Sequence, residues 1–488
     1  MINLTRVTDS SWADIIPGRL RSLHSGSPEA FQCVESWIKR CNEHCCYDSA
    51  PEADPILPTR VLDVGQPGKW TRTIKVLETQ GERGKYVALS HCWGTSERIK
   101  TTRDTLPDLK EGIAVSYLPL TFRDAIMITR KLGIQYLWID TYCIIQDDEE
   151  DWNQETSKME DVYSKSFLTI CASASTDSTS GCFPPRRPYY ISDDLYSHGI
   201  VDTAWDGSHA PPAIVTYKKV GDNKWKSIRE IFFLDEYMPP STAHGLKYYS
   251  IGAFGRSFDP LRNEHLSSRA WTLQERLLSP RKLHIAWDQM YWECLKCFTA
   301  EDGAIFEPGL VSLDRLLERE MILFEQHGRT SQGVSSTVGV PAYQWRKGRW
   351  DGGWLDHIEE FSTRFMANEG DKLPALAGLA RRVAEATGDE YHAGLWRKHL
   401  IEDLHWATFD DGPAELHGPQ EYEEFLQENA MPKKYRAPSW SWASISLFVK
   451  FKPLHFKHIV AEVIECETTP AGHDKYGKVC GGFLKIKV

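Results

Sequence analysis

The stretch from Lys85 to Ala172 restricts the fold more than any other part of the chain, because strand and helix patterns alternate along it. Lys85-Tyr86-Val87-Ala88-Leu89-Ser90 has the apolar run of a buried strand and leads into a turn at His91-Cys92-Trp93-Gly94. Beyond it, Phe122, Ala125, Ile126, Thr129 and Leu132 fall on one helical stripe. Thr121 and Asp124 stand at capping-box spacing in front of that stripe, and Gly133 stands where a helix ends. Gln135-Tyr136-Leu137-Trp138-Ile139-Asp140 has the pattern of the next strand. A second helix is expected from about Glu149 to Ser164, and a third strand at Phe167-Leu168-Thr169-Ile170-Cys171-Ala172. This alternation is the signature of parallel βαβ units with right-handed crossovers. The expected fold class is therefore α/β: a mostly parallel central sheet flanked by helices, with mixed α+β regions on both sides in sequence.

Open parallel sheets bind ligands outside the carboxyl ends of their strands. Here those ends carry Ser90-His91-Cys92-Trp93-Gly94, Asp140-Thr141-Tyr142-Cys143 and Ser173-Ala174-Ser175. The candidate cleft is thus lined by Ser90, His91, Cys92, Trp93, Gly94 and Cys143, with Asp140 as a carboxylate at a strand end. The second helix adds another. Trp152, Met159 and Val162 share a stripe, and Glu155 lies on it. A carboxylate on an apolar face must be paired, protonated or at the edge of a cavity. An Arg or Lys partner is the ordinary explanation, and a catalytic carboxylate is the other.

Composition removes several function classes. The formal net charge of -11 opposes a general nucleic-acid coat. No run of about 18 apolar residues occurs, so no membrane span is expected. The first twenty residues lack an apolar signal-peptide core, so the 12 cysteines are expected to be reduced thiols in a cytoplasmic protein. There is no dinucleotide or P-loop glycine motif after a strand, no H-E-x-x-H and no G-x-S-x-G elbow. Cys41, His44, Cys45 and Cys46 form one tight group, and Cys294-Leu295-Lys296-Cys297 is a C-x-x-C about 250 residues later. That distance argues against a shared zinc, so no metal ligand is assigned. Cys92, beside His91, is expected to be core or cleft lining rather than a nucleophile.

Three regions are expected: residues 1–84 as an entry segment, 85–276 as the α/β domain with an irregular insertion at about 185–260, and 277–488 as an α+β region. Ser268 to Arg276 should be helical and Lys282 to Ile285 a strand. Pro438-Ser439-Trp440-Ser441-Trp442-Ala443-Ser444 alternates like a strand with one aromatic face. No internal repeat of the 20–50 residue kind is visible.

Four segments together resemble the heterokaryon incompatibility (HET) domain of filamentous fungi. They are Tyr86 to Gly94, Tyr136 to Ile144 with Gln146-Asp147, Met159 with Val162-Tyr163, and Arg269 to Glu275, in the order and spacing of that family. Asp371 to Gly378, Ala393-Gly394-Leu395-Trp396 and Ala437 to Trp442 are similar to its flanking features. The resemblance implies non-self recognition and cell death on incompatible fusion. It also implies a remote likeness to TIR domains, some of which cleave NAD with a glutamate on a helix beside the sheet. By that analogy Glu155 and Asp140 are the candidate catalytic residues of a nucleosidase-type hydrolase and NAD is its substrate, with no resident cofactor. A non-catalytic module that assembles with itself or a partner protein is the alternative, and a fold recruited to secondary metabolism a third.

Overall fold

The computed structural model describes residues 22, 24–45, 54–94, 100–186, 214–219, 225–232, 259–303, 305–306, 313, 316–317, 320–322, 353–408, 432, 434–451 and 461–488. Its strands are β1 (Arg60–Asp63), β2 (Thr73–Glu78), β3 (Tyr86–Ser90), β4 (Ile113–Ala114), β5 (Tyr136–Trp138), β6 (Leu168–Cys171), β7 (Ile214–Lys219), β8 (Trp225–Phe232), β9 (Arg281–Ile285), β10 (Met290–Cys294), β11 (Phe298–Ala300) and β12 (Ile305–Phe306). Ten of them form one sheet in the order β12-β11-β10-β9-β6-β3-β5-β1-β2-β4. β7 and β8 pair as a separate antiparallel hairpin inside the span expected to be irregular.

The three strands read from the alternation are parallel neighbours. β3 lies between β5 and β6, and β9 continues the parallel set beyond β6. The sheet as a whole is mixed rather than mostly parallel, since every other pairing in it is antiparallel. Chain length explains this. A parallel return needs a crossover of about a dozen residues or more. The connections 286–289, 295–297 and 301–304 are too short for one.

The central strands are buried on both faces. In β3, Val87 and Leu89 point into one core cluster, while Tyr86 and Ala88 belong to the other. The first cluster is covered by α1 (Pro28–Arg40) and, beyond the short α2 (Leu106–Glu111), by α3 (Leu120–Lys131), through Val34, Trp37, Phe122, Ala125 and Ile126. After the turn α4 (Asp140–Cys143) and α5 (Glu149–Ser157), the second cluster draws on α6 (Met159–Ser164), α7 (Trp271–Leu278), α8 (Trp354–Ser362) and α9 (Ala377–Thr387), through Val162, Leu273, Leu277, Ile358 and Val383.

Several local expectations are corrected. Thr121 and Asp124 do not box the start of α3, which has Pro119 at its N-cap and no side-chain cap. Instead the Asp124 carboxylate accepts the Cys182 amide at 2.8 Å, and the Thr121 hydroxyl accepts the Gly181 amide at 3.1 Å. They fasten the loop after β6. The single helix expected over 149–164 is two, broken at Lys158. The Thr156 and Ser157 hydroxyls donate back to the carbonyls of Trp152 and Gln154, a pattern that bends helices. α7 packs on the sheet as expected, but Trp271 is only half-buried and Leu273 takes the core position.

The segment 438–444 is a turn and a short 3-10 helix, not a strand. The Ser441 hydroxyl caps it by accepting the Ala443 amide. Trp442 is buried against Gly394, whose φ of +99° and missing Cβ the contact requires. A Cβ there would stand 2.4 Å from the Trp442 ring nitrogen. The Gly394 carbonyl accepts the indole N–H of both Trp354 (2.8 Å) and Trp442 (3.1 Å). Gly378 allows a second close approach. Its amide donates to the Gln274 side chain at 2.8 Å, and a Cβ would meet Glu160 and Gln274 at 2.9 Å. Gly378 thus lets the C-terminal region close onto α6 and α7, and Gly394 ties that region together internally.

Candidate functional site

The carboxyl end of β3 delivers Ser90 beneath α7, where its hydroxyl donates to the Glu275 carboxylate. Glu275 is 8% exposed, and Tyr163 from α6 is also hydrogen-bonded to it. Burial pushes the Glu275 carboxyl up to about 7; the Asp140 charge raises it as well, and Ser90, Tyr163 and Arg269 only partly offset these effects. A buried carboxyl that titrates near neutrality suits proton transfer. The Tyr163 hydroxyl is driven well above its usual range, first by burial and then by Glu275 and Asp140.

Asp140 stands in front of this pair at the end of β5, its side chain 25% exposed. One oxygen accepts the Trp93 indole N–H at 2.5 Å, and the other accepts the Thr141 amide at 2.6 Å. His91 Nδ1 lies 3.8 Å from the second oxygen, and the ring packs edge-on against Phe122. The Arg269 guanidinium donates to the His91 carbonyl at 3.1 Å and lies close enough to Cys92 and Glu275 to act on both electrostatically. β3, the β5–α4 junction, α6 and α7 thereby bring Ser90, His91, Trp93, Asp140, Tyr163, Arg269 and Glu275 into one polar group.

The other expected residues have different surroundings. Burial pushes the Cys92 thiol up to about 11 and the Cys143 thiol up to about 12, which leaves neither as a thiolate. The Cys143 carbonyl accepts Arg60 Nε at 2.8 Å. Gly94 leaves no room for a ligand phosphate on its Cβ side, because Asp177 occupies that space and a Cβ would stand 2.2 Å from Asp177 Cβ. Glu155 is buried and ion-paired with Lys158 at 2.9 Å, beside the Arg60–Asp151 pair. The Lys158 ammonium bridges the Glu155 carboxylate to the Thr59 hydroxyl, at 2.9 Å from each. Arg269 and Glu275 entered the sequence reading only as motif positions. The helix of Glu275 carries a buried charge in an apolar setting, the same signal that singled out Glu155. Cys46 lies outside the described residues, and among these no three His, Cys, Asp or Glu side chains form a metal-holding group. No helix of the described residues is long and apolar enough to cross a membrane.

The fold and site define a mixed α/β protein with a buried carboxyl at the ends of parallel strands. Residues 86–275 match the family model of the heterokaryon incompatibility protein (HET). Over 135 residues the chain is 27% identical to heterokaryon incompatibility protein 6, OR allele, of Neurospora crassa, a match covering 25% of this chain and 20% of that protein. No solved structure matches.

Proposed function

We propose that the chain acts in heterokaryon incompatibility, and that its strand-end centre signals cell death by hydrolysing the nicotinamide–ribose bond of NAD. The observation that carries this reading is the Glu275 carboxyl, held near neutrality behind the partly exposed Asp140. In the proposed reaction the bond from ribose C1′ to nicotinamide breaks first in the transition state. The bonding pair leaves with the ring, which departs neutral. Asp140 stabilises the positive charge that builds on the ribose. Water adds to C1′, and its proton passes through the Ser90 hydroxyl to Glu275 and then to solvent. Trp93, already oriented by Asp140, offers a flat face to a base or to nicotinamide. Glu155 takes a positioning role in this reading, since it anchors Lys158 and the start of β1 through Thr59.

The test is nicotinamide release from NAD by the purified chain, repeated with Asp140→Asn and Glu275→Gln. Loss of release in both, with folded protein, supports the reading. If the wild-type chain leaves NAD intact and both variants still kill cells on incompatible fusion, the domain works as a binding module instead.

A further inference from the structure

One motif of the sequence, Cys294-Leu295-Lys296-Cys297, has no part in the group around Glu275, and the fold gives it a definite geometry. Cys294 ends β10, and Cys297 stands one residue before β11. The ladder that pairs Glu293 with Phe298 continues to these two residues, and the Cys294 amide donates to the Cys297 carbonyl at 2.8 Å. They therefore face each other across a two-residue loop. Directly opposed residues of an antiparallel pair share one face, and the two sulfurs lie 3.3 Å apart. Opposed α-carbons in a hydrogen-bonded pair stand about 5.5 Å apart, within the roughly 4.4–6.8 Å that a disulfide spans. A bond between these sulfurs thus needs only a small movement of the hairpin. Neither Leu295 nor Lys296 has a positive φ, so the loop lacks the primed turn that matches the twist of two joined strands. A covalent link between the flanking residues would supply the closure that the loop residues do not favour.

The two sulfurs differ in access. Cys294 is 3% exposed, in the core cluster with Trp37 and Trp292, whereas Cys297 packs at the margin of that cluster and is partly exposed. Arg281 pairs with Cys294 across β9–β10 and so rises on the same face, where its cation favours a thiolate.

We propose that Cys294 and Cys297 form a site of reversible oxidation, at which a peroxide converts the dithiol to an intramolecular disulfide. The partly exposed Cys297 reacts first. Its thiolate attacks one peroxide oxygen, the O–O bond breaks, and the departing oxygen takes up a proton and leaves as water. Cys297 is then a sulfenic acid. Cys294 gives its proton to solvent and attacks the Cys297 sulfur, and the S–O bond breaks with release of a second water. The two thiols together lose two electrons, and the peroxide gains them. A thiol reductant reverses the bond by exchange. Hydrogen-bonded cross-strand pairs hold their β-carbons wider than an ordinary disulfide does, and such strain makes a bond easier to reduce.

The test treats the full folded chain with hydrogen peroxide, blocks the remaining thiols with an alkylating agent, then denatures and digests it with trypsin without reductant. Trypsin cuts after Lys296, between the two cysteines, so the disulfide joins the peptide that ends at Lys296 to the one that begins at Cys297. This linked pair is expected, and dithiothreitol applied before the blocking step should abolish it and restore both thiols. Cys294→Ser should leave Cys297 as a sulfenic acid that dimedone labels. Cys297→Ser should leave Cys294 unoxidised at the same dose. Cys480→Ser, at an exposed cysteine on another hairpin, should form the bridge as the wild type does. The wild-type map stands by itself should either serine variant fail to fold. No linked pair, a bridge from either cysteine to any other, passage of the pair to sulfinic acid without bridging, or a bridge that dithiothreitol leaves intact overturns the proposal.

Discussion

Glu275 and Glu293 are both buried carboxylates next to α7, yet the fold treats them in opposite ways. Glu293 accepts from Arg276 and His284 at 2.9 Å each, and Lys282 lies 3.7 Å away. Burial raises its carboxyl, but those cations outweigh burial and hold it well below the ordinary range. Glu275, one residue before Arg276, has only hydroxyls bonded to it and keeps a carboxyl near 7. Glu155 pairs with one partly exposed lysine, Lys158. Where a buried charge serves only the structure, the chain surrounds it with opposite charge. Where a buried carboxyl at the ends of parallel strands is hydrogen-bonded by hydroxyls and a nearby guanidinium offsets burial only in part, proton transfer is the role we propose for it.

The comparison breaks most visibly at Arg276. Arg276→Met leaves Glu293 and Asp259 without their main cation and should cost ~3–5 kcal/mol in denaturant unfolding at neutral pH. A loss under about 1 kcal/mol would put Glu293 in the same class as Glu275. Glu155→Gln should cost about 1 kcal/mol, since Lys158 is 37% exposed and can find water. Nicotinamide release should survive that change, and its disappearance would return the catalytic role to Glu155.

Glu275→Gln sharpens the contrast by sign. The raised carboxyl binds its proton more tightly in the folded chain than in the unfolded one. The stability it contributes is therefore full below the ordinary carboxylate range, near 4.3, and is lost as pH climbs through about 7. Glutamine keeps the neutral form at every pH. Melting curves from pH 5 to 8 should then be flatter for the variant, which should melt above the wild type at the alkaline end while activity falls roughly 100-fold or more. A variant that melts lower at every pH marks Glu275 as structural. Asp140→Asn keeps one acceptor oxygen for Trp93 or Thr141 but turns an amide N–H donor toward the other, so it should cost ~1 kcal/mol or less in stability while abolishing nicotinamide release.

Much of this arrangement was legible in the sequence because it rests on local periodicity. The β3–α3–β5 and β5–α5/α6–β6 units, the Gly133 helix stop and the cluster of Ser90, His91, Trp93 and Asp140 all follow from patterns a dozen residues long. The misses have one cause. Thr121 and Asp124 have cap spacing, but the loop at 177–182 competes for them and wins. The Trp440-Ser441-Trp442 alternation looks extended, yet Gly394, 48 residues earlier, pulls Trp442 into a turn. Glu155 and Glu275 carry the same local signal, an acid on an apolar helix face, and only the three-dimensional count of nearby cations separates them. In the wings, Arg60-Val61-Leu62-Asp63-Val64 reads as a strand and forms β1, whereas β2, β4 and β10 to β12 escaped notice because short hairpins leave no crossover helix to mark them.

The ends of that sheet have a consequence for how the chain behaves in crowded solution. β4 and β12, the outermost strands, are two residues long each. Such stubs offer few free backbone groups as a template for another chain's strand. A ten-stranded sheet with long open rims would invite edge-to-edge stacking into fibres, and at one end the outermost strand, β4, is only two residues long. If copies of this chain do gather during a response, the contacts should come from side-chain surfaces and stay reversible, rather than from sheets growing strand by strand.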